Sequence, residues 1–249
     1  MYKRFYILVL IVLSLASCSK EETVRDVAVQ FNATVSPEMT VLVKGGDTQP
    51  EPVLADHAVL QAWRDGVMAA QAEQSIGSGT TQISFSGVKL VGGATYLIYI
   101  WVDCEGYYNT SDLRSVSVKK DYDGKSAEFD AFFSCSTVIC GQDDEVHNIT
   151  LKRPFAKVGF SAQVNSQLKV KFTAPTTLNL KTGEVSGTRN VEYTVQPVES
   201  SVTAFDYVFA TEEVSQLNYT FQLGSEQAKT TSAPVKKNTK TNIIYNITN

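Results

Sequence analysis

Histidine is almost missing from the 249 residues, with two copies, and only four cysteines accompany it. His57 and His147 stand alone, and no cysteine pair has metal-ligand spacing with a histidine nearby. Neither a metal nor any other cofactor is therefore expected. The chain also lacks a Gly-rich phosphate loop, a His-Glu-x-x-His pair and a Gly-x-Ser-x-Gly elbow. With no histidine beside a nucleophile, a catalytic triad finds no support along the sequence, and the chain reads as a non-enzyme. A net charge of −4 without any basic block provides no electrostatic footprint for nucleic acid. Proline is sparse at 7 copies, while 43% of residues are hydrophobic, so the chain can bury a core and is not disordered.

One apolar run is conspicuous, and it is short. Lys3 and Arg4 precede the run Phe5 to Leu13, and small residues close the segment as Leu15-Ala16-Ser17-Cys18. That order is the layout of a secretory signal, too short for a confident membrane span of about 20 residues. Residues 1–17 are expected to be a signal peptide and 18–25 a lipidated tether, because Leu-Ala-Ser-Cys looks like a lipobox whose Cys18 thiol takes the lipid. Removing residues 1–17 takes two basic side chains and no acidic one, leaving 20 basic against 26 acidic. Ser19-Lys20-Glu21-Glu22 resembles the signal that carries lipoproteins of Bacteroidales-type bacteria to the outer face of the outer membrane. An ordinary solvated tether has the same composition.

Beyond Cys18, the cysteines are Cys104, Cys135 and Cys140. In an oxidising compartment Cys135 and Cys140 could close a small loop and leave Cys104 free, or all three could be small buried hydrophobes.

The body reads as strands. Val27, Val29, Phe31, Ala33 and Val35 alternate with polar or small residues, and Tyr96 to Val102 is a continuous apolar and aromatic run. Similar segments recur at 168–172, 191–195, 205–209 and 217–223, with turn signals at Asp123-Gly124, Thr182-Gly183, Gly187 and Gly224 between them. Leu54 to Ser75 has helix-forming composition, but Arg64-Asp65-Gly66 in its middle favours a hairpin. Lys44 to Pro52 is the most loop-like segment. The acidic stretch Gly141 to Glu145 lacks calcium-loop spacing and is read as a linker between domains. Asp103 and Asp112 flank Tyr107-Tyr108, a pair that could serve sugar hydrolysis, yet ordinary loop residues explain them better.

Three segments carry a family resemblance. They are Tyr96 to Asp103 with Tyr107 to Val116; Glu128 to Phe133 with Ile149 to Val158, including Leu-Lys-Arg-Pro-Phe-Ala-Lys; and the tail Pro234 to Ile243, with Asn-x-Lys-Thr-Asn-Ile. Together they are similar to the fimbrillin-like surface lipoproteins of Bacteroidales-type bacteria, the subunits of a lipoprotein pilus. The resemblance implies an all-β chain of two transthyretin-like antiparallel β-sandwich domains, at 26–147 and 148–249. It implies a lipid-anchored fimbrial subunit at the outer-membrane surface with a role in adhesion. Its partners would be other fimbrial subunits in a homo- or heteropolymer, joined by donor-strand exchange. It further implies a cut after a basic residue near the first strands, for which Lys44 is the candidate, with Arg25 and Arg64 as competitors. The alternative is a monomeric surface lipoprotein that holds a glycan or host protein with loop aromatics such as Tyr107, Tyr108 and Tyr122. At the C-terminus, Ile243, Tyr245 and Ile247 share one face, either to complete the chain's own second domain or to serve as a donor strand.

Overall fold

The computed structural model describes residues 25–43, 51–119, 127–163, 166–195 and 204–246. The expected signal peptide, Cys18, Lys44, Tyr122 and Asp123-Gly124 lie outside the described residues. The chain opens with β1 (Asp26–Val35) and β2 (Thr40–Val43), then runs through β3 (His57–Arg64), β4 (Val67–Ser75), β5 (Gln82–Val91) and β6 (Thr95–Asp103). Two short strands, β7 (Tyr108–Asn109) and β8 (Ser115–Val118), precede a 3-10 turn at Ala127–Phe129. After it come β9 (Phe132–Ile139) and β10 (Glu145–Leu151). The second half holds β11 (Phe155–Gln163), β12 (Leu168–Ala174), β13 (Thr177–Asn179), β14 (Val185–Ser186) and β15 (Arg189–Val195). It ends with β16 (Ala204–Phe209), β17 (Ser215–Leu223), β18 (Lys229–Val235) and β19 (Thr239–Asn246). The fold is all-β, as expected.

The hairpin reading of Leu54 to Ser75 holds, because β3 and β4 pair around Asp65-Gly66. Both turn residues have positive φ, 50° and 80°, the backbone that a tight turn between right-twisted strands requires. Helix propensity loses here because β3 is buried on both faces from His57 to Trp63, where small alanines let two layers approach.

A first sandwich packs the sheet β10-β1-β5 against β4-β3-β6-β9. Every second residue of β1 faces the shared core, and Val29, Phe31 and Ala33 have no exposed surface. A second sandwich packs β16-β11-β19-β2 against β15-β12-β17-β18. At its centre Phe160 meets Tyr193 and Tyr219 edge to face, at 5.9 and 5.3 Å between ring centroids. A third core joins the two sandwiches. Tyr99 and Trp101 from the second face of β6 pack there with Phe155, Tyr207 and Phe209. The small sheet β14-β13-β8-β7, with two strands from each half of the chain, closes it. This double burial explains why Tyr96 to Val102 is apolar without alternation: Tyr96, Ile98, Ile100 and Val102 face the first core, and Tyr99 and Trp101 the third.

The expected boundary between 147 and 148 falls inside β10, which pairs with β1 from Glu145 to Leu151. Nor is 141–145 a linker between domains. Asp144 accepts the Ala28 N–H at 2.9 Å and Glu145 accepts the Gly141 N–H at 3.2 Å, so the segment is a connection within the first sandwich. The chain changes sandwich after Leu151, where Arg153, fully buried, makes a bidentate pair with Asp130 at 2.7 and 2.6 Å. Pro154 directly precedes β11, at a strand start where its missing N–H costs no ladder bond. In addition, β2 pairs with β19 in the second sandwich, so residues 26–147 are not one continuous unit.

The bridge considered for Cys135 and Cys140 is not made, since Cys104, Cys135 and Cys140 are all free thiols. Cys135 lies in β9 and Cys140 just past its end. Five residues of extended chain span about 16 Å and end on opposite faces, far beyond the reach of a disulfide. Instead Cys140 packs in the first core, and Cys135 lies against the third.

Candidate functional site

Here the candidate site is a seat for a strand. β1 runs parallel to β10 on one side and antiparallel to β5 on the other. Its apolar side chains Val27, Val29, Phe31, Ala33 and Val35 fill five successive positions between those two strands, each at most 3% exposed. Past its end, Ser36 N–H donates to Leu151 at 3.0 Å, and the Pro37 carbonyl accepts from the buried Arg153 guanidinium. The chain then crosses to the second sandwich, where β2 lies along β19.

Both flanks of segment 44–50 are tied to that second sandwich. β2 holds the near side, and on the far side Glu51 accepts from Lys157 at 2.7 Å and Lys240 at 2.5 Å. Lys157 and Lys240 are neighbours in the β11–β19 register, and both ammonium groups hold the Glu51 carboxyl below its usual range against the cost of burial. The competing basic residues lie differently. Arg25 sits before β1, so a break there frees neither β1 nor β2, and Arg64 ends β3, so a break there would take β3 out of the first sandwich along with them.

Among the described residues, Tyr107 and Tyr108 do not form a ligand platform. Tyr108 is buried in the third core, where its hydroxyl donates to the Phe129 carbonyl at 2.5 Å. Tyr107 stacks edge-on against the Phe129 ring at 4.8 Å between centroids. Asp103 and Asp112 each have their own cationic partner, His57 and Arg114 respectively.

His57, solitary in the sequence, becomes part of a cluster with the buried Asp103 and the exposed Glu73. Its Nδ1 lies 2.8 Å from Asp103 and its Nε2 2.9 Å from Glu73. The Asp103 hydrogen bond pushes the imidazole up to about 9, with burial opposing and the Glu73 hydrogen bond adding to it. Burial, with the Asp56 charge adding to it, raises the Asp103 carboxyl, and the imidazolium opposes that. Cys104, next to Asp103, is no nucleophile, because burial pushes its thiol up to about 12. The cluster therefore carries stability rather than chemistry. A histidine raised in the folded state contributes in full below its unfolded value and loses that contribution as pH rises through about 9. The parent is expected to lose on the order of 2 kcal/mol between about pH 7 and pH 10, a step that His57→Gln should lack. Melting curves at several pH values check this, and identical pH profiles would contradict it.

Comparison with known proteins adds a family and a fold. The family of unknown function DUF6562 matches residues 22–247. No curated protein matches the chain in sequence. Among solved structures, a fimbrial assembly protein from Parabacteroides distasonis aligns over 88% of this chain and 92% of its own, at 13% identity and TM-score 0.52. The fimbrial anchor protein Mfa2 from Porphyromonas gingivalis aligns over 80% and 78%, at 14% identity and TM-score 0.53. The tip fimbrial protein Mfa3 from the same organism aligns over 84% and 81%, also at 14% identity and TM-score 0.53. At these identities the likeness is one of fold.

Proposed function

We propose that this chain, which belongs to the family of unknown function DUF6562, is a structural subunit of a cell-surface fimbria that joins its neighbours by strand exchange. The observation that carries the reading is β1. It is the first strand of the described residues, it is paired on both sides, and it buries five side chains at period two. Such a strand can leave as one piece and be replaced by an alternating strand of another subunit, whose backbone supplies affinity and whose side chains supply specificity. Segment 44–50 directly follows β2, so a cut after Lys44 would detach the tether, β1 and β2 together. That loss would open the groove between β5 and β10 and bare one edge of β19. The fold shared with fimbrial assembly, anchor and tip proteins supports the same reading.

Before assembly the chain is held at the outer membrane through lipid on Cys18 and exposed at the cell surface. Cys18→Ala is expected to abolish incorporation of a labelled fatty acid and to release the protein from the membrane fraction. Label retained on the mutant would remove the lipid anchor from the account. Assembly itself is tested by shearing fibres from the cell surface and running the unheated protein on a denaturing gel. A ladder of multiples supports the subunit role, and a monomer alone in every fraction contradicts it.

A further inference from the structure

An acidic protein presents, where its two sandwiches meet, a groove of about 620 Å3 with four lysines in its wall. Lys152 comes from the connection between β10 and β11, Lys181 from the turn between β13 and β14, and Lys236 and Lys237 from the connection into β19. Against them the wall holds one acid, Glu212, already paired with Lys237 at 2.5 Å. Among the described residues, Lys152, Lys181 and Lys236 have no acidic partner. Three unneutralised ammonium groups around one concavity concentrate anions there, more strongly than the same charges spread over a convex surface.

The remaining wall says what kind of anion. Asn238 holds a left-handed backbone, φ 55°, and its side-chain oxygen is buried with no partner among the described residues. A buried amide atom left over in this way calls for a hydrogen-bonding partner, which a turn of the side chain toward the groove would give it, and a hydroxyl serves whichever way the amide is turned. Thr150 adds a hydroxyl of its own, while that of Thr182 already donates to Glu184 at 3.2 Å. Phe133 is the one aromatic ring in the wall, and the Lys237 ammonium sits over it at 4.1 Å. The other apolar side chains of the wall are Leu42, Cys135 and the buried Leu180, too few to give an added strand a row of pockets for its alternate side chains, which argues against an acidic peptide. We propose that this groove binds an acidic saccharide, with carboxylate or sulfate groups on the lysines and sugar hydroxyls on Asn238. The assignment does not depend on strand exchange, since the groove lies in the single uncleaved chain, where Thr40 and Leu42 of β2 complete its wall.

Titration of the uncleaved chain, with β1 and β2 in place, at low salt with an oligogalacturonate, a heparin oligosaccharide, a neutral maltooligosaccharide and an oligoglutamate tests it. One or both acidic saccharides should bind, which also tells carboxylate from sulfate, and the neutral sugar should not. Lys152→Glu with Lys181→Glu, both exposed, should weaken binding about tenfold without changing the melting temperature. The same reversal at Lys89 and Lys169, exposed elsewhere on β5 and β12, should change it less than about twofold. Asn238→Gly keeps the left-handed backbone and should lower affinity for the saccharide but not for inorganic sulfate. No binding by either acidic saccharide, equal weakening by both lysine pairs, or tighter binding of oligoglutamate would each overturn the proposal.

Discussion

Truncation of the chain before Ile243 is expected to destroy the cooperative unfolding of the second sandwich. β19 lies between β11 and β2 and runs parallel to both, so losing its last turns of pleat unpairs β11 from Phe160 onward. Ile243 and Tyr245 pack on the second core, and Tyr245 lies 4.3 Å from Phe221 between ring centroids while its hydroxyl meets that of Tyr219 at 2.7 Å. A fully buried side chain of this kind is worth about 1.5–3 kcal/mol, of which the partly buried Ile243 and Tyr245 each supply a share, and the lost ladder bonds to β11 add to it. Against a total stability of about 5–15 kcal/mol, the loss is a large fraction. The structure thus favours the C-terminal strand as part of its own domain, and it puts Ile244, 38% exposed, on the opposite face from Ile243 and Tyr245. A melting curve with one size-exclusion profile decides the matter. A truncated monomer melting close to the parent would contradict this and return β19 to the role of a strand free to be donated.

The second large effect concerns β1. Cutting the chain within 44–50 should at first change little, because the ladder and five buried side chains keep β1 seated after the covalent link is gone. Release should need denaturant. After refolding without that segment, the groove between β5 and β10 should capture a synthetic peptide of residues 26–35. The same peptide carrying Phe31→Ala should bind more weakly by about 3–5 kcal/mol, since Phe31 is wholly buried and the walls cannot collapse around its absence. Isothermal titration measures the difference. If the stripped chain does not refold, or takes up both peptides equally, β1 is an ordinary core strand and no acceptor groove exists.

What the sequence made legible and what it hid divide along physical lines. Asp65-Gly66 announced its hairpin because the turn backbone demands residues that tolerate positive φ, a local requirement. The run Tyr96 to Val102 announced a buried strand, though not that its second face would join two sandwiches. Pairing was the hidden part. β10 alternates as a half-exposed strand, and nothing in Glu145 to Leu151 says that its neighbour is β1 rather than the second domain. β2 is four residues long, too short for a pattern, yet it is what carries the N-terminal segment onto β19. His57 looked solitary because its partners are 46 and 16 residues away, and only the β3–β6 and β3–β4 registers bring Asp103 and Glu73 to it. The basic groove was hidden for the same reason, its lysines coming from three separate connections. Cys135 and Cys140 misled in the other direction, since closeness in sequence is distance along an extended strand.

The central claim is that β1 leaves and a neighbour's strand takes its place in an assembled fibre. The most direct test is the N-terminus of this chain in fibres sheared from the cell surface. The account predicts a chain that begins after Lys44, lacks residues 26–43, and runs as a ladder of multiples when unheated. A chain in the fibres that still begins at acylated Cys18 and retains β1, or one found only as a cell-bound monomer, would contradict it.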